Sequence, residues 1–123
     1  MKNRPSVLTE DELDVAVSVA IHRAEILDDM QSPKAAEAWH EVMLYEERLA
    51  WITPAGGITG GIARVGAVRA ALAAGRKADA ERLASQFLAE AEFSSERRAA
   101  LDQVFEDSRG PRACGSPLNL LLE

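Results

Sequence analysis

Cysteine is almost absent from this chain. Its single thiol, Cys114, cannot close an intrachain disulfide, so neither a disulfide scaffold nor an oxidising compartment is implied. Aromatic side chains are scarce too, six among 123 residues, so Trp39, Trp51, Phe87, Phe93 and Phe105 must supply much of the core volume. Basic residues are the minority, 14 against 20 acidic ones, for a formal charge of −6. A surface of that sign repels a phosphate backbone and argues against general nucleic-acid binding. No apolar run approaches the roughly 18 residues of a membrane span. The early apolar stretch from Val15 to Ile21 follows Glu10, Asp11, Glu12 and Asp14, whereas a signal peptide has a basic leader. These absences lead to the expectation of a cytoplasmic protein that does not enter the membrane.

What the chain has in quantity is alanine, 22 residues of it, which favours helix over sheet. Its charge is divided unevenly. Residues 1–60 carry 5 basic and 11 acidic side chains, and residues 61–123 carry 9 of each. The whole negative balance belongs to the first half, which suits a basic partner or a cation.

Local signals place the helices. Thr9-Glu10-Asp11-Glu12 is a capping box, in which the threonine hydroxyl accepts from the backbone three residues on and the glutamate reaches back. The helix predicted over 10–31 has an apolar face of Leu13, Val17, Ala20, Ala24, Leu27 and Met30. Val15, Val19 and Ile26 form a second, narrower stripe, so this helix is expected to contact more than one neighbour. Ser32-Pro33 starts a second helix over 33–52, with Trp39, Val42, Tyr45, Leu49 and Ile52 among its apolar positions. Four glycines and a proline in residues 53–61 read as a flexible hinge. Helices over 62–74, 78–92 and 95–107 follow, the first of them ended by Gly75.

The sequence therefore predicts an all-α fold of four to five helices, a small bundle built as one domain over residues 1–123. A tail (1–8) precedes an acidic antiparallel hairpin (9–52). The Gly-rich hinge (53–61) joins it to a second hairpin plus a capping helix (62–107), and a second tail (108–123) ends the chain. A core this thin gains from association, so a homo-oligomer, most simply a homodimer, is expected.

Residues 62–92 resemble a single tetratricopeptide-type helical hairpin. The resemblance rests on Ala71-Leu72-Ala73-Ala74-Gly75-Arg76-Lys77-Ala78-Asp79-Ala80-Glu81-Arg82-Leu83-Ala84, a small residue and glycine at the turn followed by alanines that pack the second helix on the first. Arg76-Lys77-Ala78 stands where the family usually has an aromatic, the terminal proline is missing, and no second copy follows. The resemblance implies paired helices of the kind that bind protein partners.

Several constellations carry candidate chemistry. Glu37 and His40 form a Glu-x-x-His on one helical face, the pattern that ligates iron or manganese in ferritin-like bundles. A dinuclear site needs two such motifs, and here there is one, so the alternative reading is a solvated acidic face. Gly56-Gly57-Ile58-Thr59-Gly60-Gly61 lacks the lysine and the preceding strand of a phosphate loop. Ala71-x-x-x-Gly75 with Arg64, Arg69, Arg76, Lys77 and Arg82 nearby has helix-turn-helix spacing, but Glu81 stands where a β-branched residue belongs. Cys114 has no local histidine. Leu118, Leu121 and Leu122 have the Leu-x-x-Leu-Leu spacing of short docking helices.

The reading these features favour is a small non-enzymatic interaction or adaptor domain that acts through helical faces and uses no cofactor. Its partner is a protein, a basic one where the acidic half is used, with Trp39, Trp51 and the C-terminal leucines as candidate anchors. The alternatives are a metal-binding helical protein using Glu37 and His40, and a DNA-binding regulator.

Overall fold

The structure is a computed structural model and describes residues 8–109, which form five α-helices and no strand. They are α1 (Glu10–Asp29), α2 (Ala35–Trp51), α3 (Ile58–Ala73), α4 (Lys77–Leu88) and α5 (Ser95–Arg109). Fold class follows the prediction: an all-helical small bundle of packed helix pairs.

The capping box on α1 is formed. The Glu12 amide donates to Thr9 Oγ1 at 3.1 Å, and the Thr9 amide donates to Glu12 Oε1 at 2.9 Å. Leu13, Val17, Ala20 and Ala24 are buried, as their spacing requires. The helix stops before the predicted Gln31, which takes a left-handed φ of 54°, and Met30 is left exposed. Ser32 caps a turn rather than the helix itself, with its Oγ accepting from the Lys34 amide at 3.1 Å, so α2 starts two residues after Pro33.

Side-chain pairs give the helix directions. Trp39 Nε1 donates to Asp28 at 2.6 Å, and Arg23 meets Glu41 at 3.4 Å. Partner numbers fall on α1 as they rise on α2, so the two run antiparallel. Arg64 on α3 reaches Glu90 beyond the end of α4. Arg69 and Leu72 share a groove with Val104 and Ser108, while Gly61 lies under Arg97, so α5 runs alongside α3 in the same direction.

α3 is the hub. It packs on α2, α4 and α5, while α1 packs on α2. This explains why α3 is buried almost all round, with Ala63, Val65, Ala67, Val68, Ala70 and Ala71 inside. It also corrects the hinge expected at 53–61, because α3 begins at Ile58 and takes Gly60 and Gly61 into its first turns. Periodicity missed this start because those glycines have no side chain to register. Their role is steric: a methyl at Gly60 would collide with the Pro54 carbonyl, and one at Gly61 with the Arg97 side chain.

The α3–α4 turn is a Schellman motif. Gly75 has φ +75°, its amide donates to the Leu72 carbonyl, and the Arg76 amide donates to the Ala71 carbonyl. α4 ends at Leu88 rather than the predicted Glu92. Arg98 holds that end, donating to the carbonyls of Leu88 (3.0 Å), Glu90 (2.8 Å) and Phe93 (3.0 Å). Phe93 is thereby folded into the core beside Phe87, Leu83, Met43 and Leu101. No helix among the described residues is long and apolar enough to cross a membrane.

Candidate functional site

Among the described residues two charged side chains are buried, Arg64 on α3 and Glu46 on α2; the sequence showed Arg64 only as one of a basic cluster. Arg64 is 2% exposed. Its Nε and Nη2 donate to the two Glu90 carboxylate oxygens at 2.6 and 3.0 Å, and its Nη1 donates to the Gly60 carbonyl at 3.0 Å. The guanidinium lies 5.7 Å from the Trp51 ring and 5.6 Å from Phe87, so it rests beside this aromatic pair while its nitrogens are hydrogen-bonded. Arg64 belonged to the basic cluster considered for DNA, and this burial takes it out of any such surface. Arg76 pairs with Asp79, and Arg82 with Asp79 and Glu47. The hydrogen bond from Arg76, helped by Arg82, holds the Asp79 carboxyl below the usual carboxylate range. Much of the basic cluster is thus neutralised within the fold.

Glu46 is the second buried charge, on α2, 5% exposed and facing Gly66 of α3. Burial is the main cause that raises its pKa, from 4.5 to about 7; Arg69 opposes the rise and Asp14 adds to it. No hydrogen bond or ion pair reaches its carboxylate from the described residues. The sequence did contain the signal: Val42, Glu46 and Leu49 lie on one helical face.

Glu37 and His40 come together in an open groove with Arg23, Glu41 and Leu44. The Arg23 guanidinium, paired with Glu41 at 3.4 Å, already supplies a cation there. Among the described residues no group of three or more His, Cys, Asp or Glu is placed to hold a metal ion. Cys114, Leu118, Leu121 and Leu122 lie outside the described residues.

Trp39 is half-buried and tied to Asp28 on α1, so it joins the hairpin. Trp51 is different, being 46% exposed at the end of α2. Its inner side packs at a tilt of 50° against Phe87, with ring centroids 5.2 Å apart, and lies against Arg64. Its Nε1 donates to Glu47 at 3.4 Å. Ile52, Ile58 and Ile62 are each more than half exposed around the same α2–α3 connection. Ile52, one of the apolar positions of the second helix, is the C-cap of α2, and among the described residues no element covers that side. A second group of exposed apolar residues, Val15, Val19, Ile26 and Met30, runs along α1.

Comparison with family models, with curated proteins and with solved structures finds no match for this chain.

Proposed function

We propose that the protein is a non-enzymatic interaction domain of the cytoplasm, docking a protein partner on the α2–α3 corner. The observation that carries this is the state of Trp51. A large aromatic is left half in solvent while its inner face is fixed by Phe87 and Arg64. An aromatic held rigid before binding loses little entropy on contact, and such anchors dominate interface energies. Ile52, Ile58 and Ile62 supply apolar area beside it. The acidic balance of residues 1–60, with 11 acidic side chains against 5 basic ones, favours a partner with basic residues at its rim.

The test is capture from native extract with the wild-type chain and Trp51→Ala in parallel, at low and high salt. The expected result is a protein retained by the wild type, released by salt and absent with the variant. The variant should remain folded by circular dichroism, because Trp51 is only half-buried. The proposal is overturned if Trp51→Ala unfolds outright, or if it captures the same proteins. Stoichiometric iron or manganese in untagged protein, lost with His40→Ala, would replace it with the metal-binding reading.

A further inference from the structure

The second apolar stripe of α1 has no partner among the described residues. Val15, Val19, Ile26 and Met30 are 63, 64, 45 and 68% exposed. Val15, Val19 and Ile26 lie on the side of the helix opposite the buried Leu13, Val17, Ala20 and Ala24, and Met30 follows at its C-cap. With His22, the stripe advances by steps of four, three, four and four residues, the spacing of a helix-pairing seam.

Its order is symmetric. Val15 and Met30 are equidistant from the midpoint between His22 and Arg23, and so are Val19 and Ile26. A two-fold interface imposes this condition: residue i of one copy meets j of the other, and j meets i. We propose that this stripe is a homodimer face, on which α1 pairs antiparallel with α1 of a second copy, Val15 against Met30 and Val19 against Ile26. The surface is separate from the Trp51 corner, so self-association and partner docking can coexist.

Area and charge set its strength. α1 has 20 residues and is about 30 Å long. Pairing two such faces buries on the order of 1,000 Å² in total, the lower limit for a specific interface, so this is a small interface. Val19 also borders a cleft of about 300 Å³ between α1 and α2, lined by Ala16, Ala20, Arg23, Glu41 and Tyr45, which can receive side chains of the second copy. At the centre, the Arg23 charge is already countered by Glu41 within its own chain. At the ends, Asp11 and Glu12 of one copy approach Asp29 of the other. Salt screens that repulsion, so this dimer tightens as ionic strength rises, whereas docking of a basic partner weakens.

Sedimentation of the full chain across the micromolar range, at low and high salt, tests the proposal together with Val19→Glu/Ile26→Glu. The expected result is a wild-type dimer strengthened by salt and a variant that stays monomeric with unchanged helicity, since both side chains are exposed. Geometry is read in a Cys114→Ser background. His22→Cys should cross-link to itself on oxidation, being next to the axis. Val15→Cys should not, because the two copies of that position lie about 22 Å apart in the antiparallel register. A monomer at all concentrations, as when Leu118–Leu122 or another protein covers the stripe, overturns the proposal. So does a dimer indifferent to the double variant, or Val15→Cys cross-linking as readily as His22→Cys.

Discussion

Glu46 makes the stability of this protein depend on pH in a direction opposite to that of most carboxylates. An acid paired in the folded state stabilises it as pH rises. Glu46 is instead buried without a countercharge in contact, and its pKa is raised from 4.5 to about 7. Below pH 4.5 it is protonated whether the chain is folded or unfolded and makes no difference. Between 4.5 and 7 the unfolded chain ionises while the folded one holds its proton, so stability falls. Above 7 both are ionised and the loss is complete. A difference of that size corresponds to about 3 kcal/mol at 1.36 kcal/mol per pKa unit.

The assay is urea unfolding of the wild type and Glu46→Gln at a series of pH values from 4 to 8. The amide cannot ionise, so the variant gains on the wild type as pH rises. With a slope of about 1.5 kcal/mol per molar urea for a domain of this size, 3 kcal/mol appears as a relative midpoint shift of about 2 M. Gly66 gives an independent check, because a methyl placed there would overlap the Glu46 carboxylate. Gly66→Ala is expected to destabilise the wild type despite a gain of about 1 kcal/mol in helix propensity, and to stabilise a Glu46→Ala background, where the carboxylate is gone. Parallel pH profiles for wild type and Glu46→Gln, or the same sign for Gly66→Ala in both backgrounds, would refute the reasoning.

Two further substitutions test the fold around the site. Arg64→Ala leaves Glu90, which is partly exposed, without its bidentate partner and removes the cation beside Trp51 and Phe87, so a loss of about 3 kcal/mol in denaturant unfolding is expected, with Arg64→Lys recovering only part of it. Gly75→Ala meets no neighbouring atom within 4 Å, so its cost is backbone strain at φ +75° alone, about 1 kcal/mol, read as a small drop in thermal midpoint.

The parts of the fold visible in the sequence were those written in local chemistry. Thr9 and Glu12 announced the start of α1, Gly75 the end of α3, and the spacing of Leu13, Val17, Ala20 and Ala24 the buried face. Boundaries set by distant residues were not visible. α4 ends early because Arg98, ten residues beyond Leu88, claims its free carbonyls. α3 starts early because Gly60 and Gly61 must fit against Pro54 and Arg97. The candidate site was half legible. Trp51 was singled out by residue type, but its mounting on Phe87 and Arg64 depends on contacts across 13 to 36 positions in the chain. The basic cluster was visible as composition, yet Glu90, the residue that takes Arg64 out of it, stands 26 positions away.

The alanine content and the two buried charges belong to one argument. Alanine-rich faces lie close together but are smooth, and one-turn slips between them cost little in volume. Of α3, ten residues are buried, and the only long side chain among them is Arg64. Shape alone therefore fixes the placement of α3 weakly. Glu46 can be accommodated only over Gly66: one turn in either direction it would meet Ile62 or Ala70 instead. Arg64 must at once reach Gly60 and Glu90 and lie against Trp51 and Phe87. Each buried charge costs stability relative to an apolar residue, yet together they define where α3 sits against α2 and α4. That same placement holds Trp51 at the surface with its inner face pinned. The groups that look expensive inside the bundle are the ones that shape the corner proposed as its docking surface.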